Sequence, residues 1–293
     1  MLFQFEINLI SSLQDIQLPL IKEFFLAWNF ADSSAFYALL ISFVWFQFGW
    51  KWGARLLYII LLSALINSTL KEFFLLPRPF HLIENLGLVK ATGYGFPSGA
   101  AQGAVLLPGI LISQWTSHRK TAWIFGGLFF ALLSLSRVYL GVHFIHDILG
   151  GWIVGSAILW FFLKGFPWIE KQIEKQPLWK TLIIGELLPL LFLVYTIQDP
   201  LIKLGLPVMM GMALGLVLSS YFHLLPQEAS FPSYPIRLLQ ASYTLISGSI
   251  LYLLGSFFIS RPFLFFLLSV WFSAGVFFSY HHFAIFLKKK EHP

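Results

Sequence analysis

Three short polar segments interrupt a mostly apolar sequence, and they contain the side chains that could do chemistry. They run over residues 71–79, 96–100 and 136–147. The first and the last supply three cations, Lys71, Arg78 and Arg137. Arginine binds phosphate through two parallel hydrogen bonds, and lysine adds a point charge. The residue types therefore predict a site for an anion that carries a phosphate group.

The middle segment contains Pro97-Ser98-Gly99, which stands where a long apolar run begins. Proline is tolerated in the first turn of a helix, and the free backbone N–H groups of that turn bind anions. Glycine lets a phosphate approach the backbone closely. We therefore expect Ser98 and Gly99 to contribute to the same phosphate site.

His143 and Asp147 are four residues apart in the third segment. If a helix begins by His143, the two side chains share one face of that helix. The carboxylate can then hold the Nδ1–H group, so that Nε2 is directed at the substrate. An imidazole oriented in this way beside a bound phosphate is a nucleophile for phosphoryl transfer.

The three segments resemble the signature of the type-2 phosphatidic acid phosphatase superfamily, whose motifs read K-x6-R-P, P-S-G-H and S-R-x5-H-x3-D. This sequence matches the first and third motifs in full and the second at all but its last position. The matching residues are Lys71, Arg78, Pro79, Pro97, Ser98, Gly99, Ser136, Arg137, His143 and Asp147. The resemblance covers about residues 20–165 and does not extend to residues 178–293.

By position, the resemblance implies that His143 attacks phosphorus and forms a phosphohistidine, and that Asp147 orients His143. It also implies a phosphate-binding set made of Lys71, Arg78, Ser98, Gly99 and Arg137. It implies neither a metal nor a cofactor.

Ala100 stands where the resembled family has the histidine that protonates the leaving group. General acid catalysis typically contributes about 10²–10⁴ in rate, so this departure leaves three interpretations open. Another group supplies the proton, and His146 and His81 are nearest in sequence. Alternatively, the substrate has a better leaving group, as a lipid pyrophosphate does. The third interpretation is a phospholipid-binding scaffold that has lost hydrolysis.

The composition excludes an ordinary soluble domain. Hydrophobic residues make up 58% of the 293 residues, charged residues only 11%, and the mean hydropathy is +0.78. Soluble domains carry about 25% charged residues, and disordered chains also carry more charge. The net charge of +6 predicts basic cytoplasmic loops and not nucleic-acid binding. Because there is no cysteine, disulfides and thiolate nucleophiles are excluded.

Long apolar runs predict an all-α polytopic membrane protein with about nine transmembrane helices and an N-terminal interfacial helix. The runs lie at about 33–49, 53–76, 98–116, 121–141, 144–165, 180–198, 203–222, 238–259 and 262–287. When the loops are assigned to alternate sides, the larger share of the 19 Lys and Arg residues falls on one side, which is predicted to be cytoplasmic. The three polar segments fall on the opposite, outer side.

We divide the chain into four parts. Residues 1–30 form an amphipathic interfacial segment, and residues 31–165 form a phosphatase-like membrane core with the three motifs. Residues 166–177 are a polar cytoplasmic linker, and residues 178–293 are an accessory four-helix membrane block.

The predicted function is hydrolysis of a lipid phosphate or pyrophosphate through a phosphohistidine at the outer face of a membrane. The expected partners are the lipid substrate and the membrane lipids, without nucleic acid, and no oligomeric state is assigned. Because the chain lacks long soluble loops, we expect a bacterial inner membrane with the site facing the periplasm. A lipid phosphotransferase and a non-catalytic lipid-phosphate binder or transporter are the alternatives.

Overall fold

The computed structural model describes residues 2–15, 19–114, 118–195, 200–224, 234–275 and 277, and within these ranges the chain is helical with no strand. The predicted all-α class is therefore confirmed. The chain forms two compact units, of which the first comprises residues 1–39 and 62–169 and the second residues 40–61 and 170–293. All three polar segments lie in the first unit. The finer division into four parts stays a prediction.

Nine helices are described up to residue 174, and they include all of the elements that carry the polar segments. They are α1 Leu2–Gln14, α2 Pro19–Trp28, α3 Ser34–Phe48, α4 Trp50–Phe74, α5 Pro79–Leu82, α6 Gly99–Gln114, α7 Arg119–Tyr139, α8 Ile145–Lys164 and α9 Phe166–Glu174. Short 3-10 segments occur at Asn29–Asp32 and Glu84–Leu86.

Four further helices follow, α10 Leu178–Tyr195, α11 Pro200–Tyr221, α12 Tyr234–Gly255 and α13 Arg261–Val270, and a π-helical turn covers Trp271–Gly275. In this second unit, Gly211 and Gly215 of α11 lie directly against Ser269 and Ser273. Small residues at this spacing let two helix backbones approach closely.

Four helices of the described chain are long and apolar enough to cross a membrane, Trp50–Leu82, Arg119–Tyr139, Ile145–Lys164 and Tyr234–Gly255. A fifth span is obtained if Leu20–Asp32 and Ser34–Phe48, which meet at 60°, count as one. The predicted number of about nine is not confirmed within the described residues. Helix α6 shows one reason, since its 16 residues reach only about 24 Å against a hydrocarbon core of about 30 Å.

Close packing of α6 and α8 positions the second and third motifs. A Cβ atom on Gly151 would lie 2.5 Å from the Ser98 carbonyl oxygen and 2.7 Å from the Ala101 Cβ. The Ser98 backbone N–H donates to the Asp147 carbonyl oxygen at 3.0 Å. The absence of a side chain at Gly151 therefore allows the start of α6 to lie against the first turns of α8.

Helix α1 packs on the start of α8. Its buried residues Ile7 and Ile10 join a core cluster with Phe144 and Ile148. Phe5, on another face of the same helix, is 66% exposed. The predicted N-terminal amphipathic helix is thus present, and its interfacial position stays a prediction.

Candidate active site

Arg78 connects the first polar segment to the third. It is the residue before α5 and is 4% exposed. Its Nε donates to the Gly93 carbonyl at 2.9 Å, its Nη2 to the Thr92 carbonyl at 2.8 Å, and its Nη1 to the Val142 carbonyl at 3.0 Å. Nη1 also lies 3.2 Å from His143 Nε2. Three backbone oxygens therefore hold this cation beside the imidazole.

Asp147 holds the opposite edge of the same ring. His143 Nδ1 lies 3.3 Å from Asp147 Oδ2, and that oxygen also accepts the Phe144 backbone N–H at 2.9 Å. The expectation that a helix begins by His143 is wrong, because α8 begins at Ile145. Asp147 instead reaches back over the N-terminus of α8, where an acidic side chain satisfies a backbone donor that has no intrahelical acceptor. The predicted pairing is thus made across a helix cap.

His143 lies between α7 and α8, outside the candidate spans, and it is buried. Burial and the nearby cations Arg78, Lys71 and Arg137 hold the pKa of its imidazole well below the usual value. The ring is therefore neutral at neutral pH. With Nδ1–H directed at Asp147, the lone pair is on Nε2, the atom that faces Arg78.

Arg137, in the last turn of α7, presents an unused donor to the site. Its Nε donates to Ser136 Oγ at 3.1 Å, and its Nη1 donates to Asn29 Oδ1 and Asp32 Oδ2, both at 3.0 Å. Its Nη2 is buried and has no hydrogen-bond partner among the described residues. A buried guanidinium nitrogen without a partner is costly, and a phosphate oxygen would satisfy it.

Ser98 and Gly99 occupy the predicted helix start. Helix α6 begins at Gly99, and Ser98 Oγ accepts the Ala101 backbone N–H at 3.3 Å. Asn67 of α4 fixes the preceding turn by donating to the Pro97 carbonyl at 2.9 Å. The serine hydroxyl thus caps the helix, and the N–H groups at its first positions have no intrahelical acceptor.

Lys71 is in the last turn of α4. It acts electrostatically on both His143 and Asp32. The structure therefore brings all of the predicted catalytic and phosphate-binding residues into the first unit, with the cations grouped around His143.

The two auxiliary histidines have other contacts. His81 Nδ1 accepts the Arg78 backbone N–H at 3.2 Å. His146 Nδ1 lies 2.8 Å from Glu6 Oε2, and the His146 backbone N–H donates to Glu6 Oε1 at 3.1 Å. His146 Nε2 lies 3.4 Å from Asp147 Oδ1. His146 is thus next to the Asp147 oxygen that does not face His143.

Three residues of the site were missed by the sequence reasoning, Glu6, Asn29 and Asp32. They belong to none of the motifs and lie more than 100 positions from the residues they contact. The available signal was the presence of acids in an apolar N-terminal stretch, because acids inside membranes are rare without a partner.

Ala100 is buried and packs in a cluster with Ala31, Ala104 and Leu133. The position that departs from the motif is therefore surrounded by apolar side chains. Asp32 follows Ala31 directly in the chain.

Comparison with known proteins finds partial similarity to several phosphatases. A model of the PAP2 superfamily matches residues 52–171. The chain is 33% identical over 121 residues to phosphatidylglycerophosphatase B of Bacillus subtilis, an alignment that covers 39% of this chain and 57% of that protein. It is 34% identical over 110 residues to undecaprenyl-diphosphatase of Sulfolobus acidocaldarius, covering 37% of this chain and 52% of that protein. The chain thus spans about half the length of these two relatives.

Two further similarities are longer. The chain is 29% identical over 185 residues to lipid A 4'-phosphatase of Porphyromonas gingivalis, which covers 58% of this chain and 77% of that protein. It is 28% identical to a solved PAP2-type phosphatidylglycerolphosphate phosphatase from Bacillus subtilis, with a TM-score of 0.49 over 56% of this chain and 85% of that chain.

Proposed function

We propose that the protein is an integral membrane lipid phosphatase of the PAP2 superfamily, whose model matches residues 52–171, with His143 as its nucleophile. One observation carries the proposal. A neutral imidazole is held by Asp147 on one edge and faces Arg78 on the other, and the unused Nη2 of Arg137 belongs to the same site. A site that only bound phosphate would need the cations but not the oriented imidazole.

The first step is transfer of the phosphoryl group to His143. Arg137 Nη2, Lys71 and the first N–H groups of α6 bind the phosphate oxygens. Nε2 then attacks phosphorus, and the bond from phosphorus to the leaving oxygen breaks. Asp147 stabilises the positive charge that develops on the ring, as the carboxylate of a catalytic triad does.

The second step is attack of water on the phosphohistidine. The bond between nitrogen and phosphorus breaks, its electron pair returns to Nε2, and inorganic phosphate leaves. Each protein group assigned to these two steps is a side chain or a backbone amide of the first unit.

A lipid substrate fits the surroundings of the site. Three apolar residues precede the first-motif arginine and are exposed, Phe73 at 76%, Phe74 at 43% and Leu75 at 51%. A phosphate headgroup could thus bind the cations while its tail stays in the hydrocarbon next to these side chains. The names of the similar proteins include a glycerophosphate lipid, a polyprenyl diphosphate and lipid A, and a lipid phosphate or pyrophosphate is the class common to them.

We further propose that the site faces the outer side of a bacterial inner membrane. The distribution of Lys and Arg over the loops between the nine predicted spans supports this orientation. The orientation is tested in spheroplasts, where a water-soluble protease or a membrane-impermeant label should reach the loop that contains Lys90. Protection of that loop in intact spheroplasts would contradict it.

The activity is tested with the protein purified in detergent. Phosphate release is measured from a lipid monophosphate and from a polyprenyl pyrophosphate, with His143→Ala as the inactive variant. His223→Asn in the second unit is the matched control for loss of a histidine. Release by the wild type and by the control, but not by His143→Ala, supports the proposal. No release from either lipid, with binding of lipid phosphate that depends on Arg137, would favour a non-catalytic binder.

A further inference from the structure

Hydrolysis of an alkyl phosphate needs a proton for the departing oxygen, and Ala100 cannot supply it. Without a proton, the oxygen leaves as an alkoxide, the conjugate base of an alcohol. The pKa of an alcohol is on the order of that of bulk water, about 15.7. A leaving phosphate needs far less help, since its pKa is about 6. The search for a proton donor therefore turns to acids that the fold brings to the site.

Asp32 is brought to the site by the 3-10 segment at the end of α2. Its Oδ2 lies 3.0 Å from Arg137 Nη1. Its side chain is 34% exposed, whereas that of Arg137 is 3% exposed. The carboxylate therefore combines contact with a buried cation of the site and access from outside.

A phosphate bound at the unused nitrogen of Arg137 would lie next to Asp32. Asp32 contacts Nη1, and Nη2 of the same guanidinium has no partner among the described residues. Acceptors on the two terminal nitrogens of one guanidinium lie side by side. A phosphate bound at Nη2 would thus have the Asp32 carboxylate as its neighbour. Lys71 and Arg78 also act electrostatically on Asp32, so this carboxylate belongs to the cation cluster.

The residue before Asp32 lies beside the position of the missing acid. Ala31, the preceding residue, packs in the same buried cluster as Ala100. The side chain of Asp32, the next residue along the chain, could therefore donate a proton in the region that a longer side chain at position 100 would reach.

Three other titratable residues near the site, Asp147, His146 and His81, already have contacts of their own. Asp147 is fully buried and supports His143. His146 lies between Glu6 and Asp147, and His81 Nδ1 accepts the Arg78 backbone N–H.

From these positions we infer that Asp32 is the general acid that protonates the leaving oxygen, an inference that rests on the proposed phosphatase function. A monoester that binds as its monoanion transfers its proton to Asp32. When Nε2 attacks, the phosphorus–oxygen bond breaks with its electron pair on the alkyl oxygen, and the Asp32 proton moves to that oxygen. The lipid alcohol leaves and Asp32 is again a carboxylate.

In the second step Asp32 is the base. It takes a proton from the attacking water while the bond between phosphorus and Nε2 breaks and its electron pair returns to the ring. Hydrogen phosphate leaves, and the proton on Asp32 passes to the product or to solvent. The same group thus acts as acid and then as base, as in other two-step displacements.

The test compares two substrates that share a tail and differ in the leaving group, hexadecyl phosphate and hexadecyl diphosphate. For the diphosphate, attack on the terminal phosphorus releases an alkyl phosphate. The measured quantity is kcat/KM, because it reports the first step, in which the two substrates differ. The second step, hydrolysis of the phosphohistidine, is common to both substrates. Asp32→Asn keeps an oxygen that can accept from Arg137 and removes the acid.

We expect Asp32→Asn to lower kcat/KM for the monophosphate by about 10²–10⁴-fold and for the diphosphate by less than about tenfold. Asn29→Ala is the matched control, because Asn29 contacts the same Arg137 nitrogen but carries no acid. It should affect both substrates equally. Addition of Ala100→His to Asp32→Asn serves as a rescue, and recovery of monophosphate activity supports the inference.

Two results would overturn the role of Asp32. One is an equal loss for both substrates in Asp32→Asn, which would leave Asp32 as a positioning residue for Arg137. The other is no loss for either substrate. In both cases the wild type still releases phosphate in a manner that depends on His143, so the proposed function stands. Absence of release by the wild type itself is the separate outcome that would refute the function.

Discussion

Glu6 and His146 lie 140 residues apart in the chain, and their side chains meet with Glu6 Oε2 2.8 Å from His146 Nδ1. The carboxylate is almost completely buried, and His146 also lies 3.4 Å from Asp147 Oδ1. The N-terminal helix is therefore connected to the carboxylate that orients the nucleophile. Glu6 and His146 contact no reacting atom in this arrangement and are positioning residues.

The first prediction concerns this connection. Glu6→Ala leaves the half-buried His146 without its Glu6 partner, which typically costs about 1–3 kcal/mol. We expect a lower melting temperature in detergent and a lower kcat, because Glu6 no longer holds His146, whose Nε2 lies 3.4 Å from Asp147 Oδ1. Thermal unfolding followed by tryptophan fluorescence and phosphate release measure the two effects.

Gln4→Ala on the same helix is the control, since Gln4 is exposed and its side chain donates to Asn8 within that helix. The double variant Glu6→Ala/His146→Ala is compared with the two single variants. The comparison measures the interaction energy between Glu6 and His146 apart from their other contacts. If the two single effects simply add, Glu6 and His146 do not act as a unit.

The second prediction concerns pH. Protonated His143 has no lone pair on Nε2, so activity falls as the pH drops through the pKa of the imidazole. Because burial and the nearby cations lower that pKa, the acidic limb of kcat/KM should lie below the usual histidine value of about 6.5. Arg78→Met removes one of these cations and should move the limb to higher pH.

The substrate's own ionisation is the same for both enzymes and cancels in this comparison. Nitrogen NMR of the imidazole, assigned with His143→Ala, gives a second measurement of the same titration. A limb that is unchanged in Arg78→Met would show that Arg78 does not act on His143 electrostatically.

The third prediction concerns Arg137. Lysine at this position keeps the charge but lacks the planar set of donors with which arginine can contact Asn29, Asp32 and a phosphate oxygen at the same time. We expect Arg137→Lys to lower kcat/KM by about 10²–10³-fold, similar to the loss of one preorganised donor in an oxyanion site. Arg119→Lys at the opposite end of α7 is the control. Activity of Arg137→Lys near the wild-type value would refute the role of Nη2 in binding phosphate.

The fourth prediction concerns the contact between α6 and α8. Gly151→Ala would place a Cβ 2.5 Å from the Ser98 carbonyl oxygen, so the start of α6 must move away from His143. Both stability and activity should fall. Gly127→Ala is the matched control, because a Cβ there meets nothing within 4 Å. That variant should be neutral or stabilised by roughly 0.5–1 kcal/mol. A tolerated Gly151→Ala would show that the two motifs do not depend on this close contact.

The helical class, the N-terminal helix and the three motifs were predictable from the sequence because each depends on residues close together in the chain. His143 and Asp147 are four positions apart, so a helical or turn conformation brings them near one another. Even for this pair, the start of the helix differs from the one considered in the sequence analysis. Asp147 caps α8 and His143 precedes that helix, so the two side chains do not share a helix face. The number of spans was not predictable in the same way, because hydropathy reports which residues avoid water and not how long or how bent each helix is.

The sequence by itself determined the chemistry that is available, which is three cations, a helix start that can bind an anion and an imidazole with a carboxylate partner. Only the tertiary structure decided which oxygens hold Arg78, which nitrogen of Arg137 is left for a phosphate, and which acids reach the site from the N-terminal segment. The contacts of Glu6 with His146 and of Asp32 with Arg137 span 140 and 105 positions. Such pairs carry no local pattern, because they are made only when separate helices pack and buried charges must find partners.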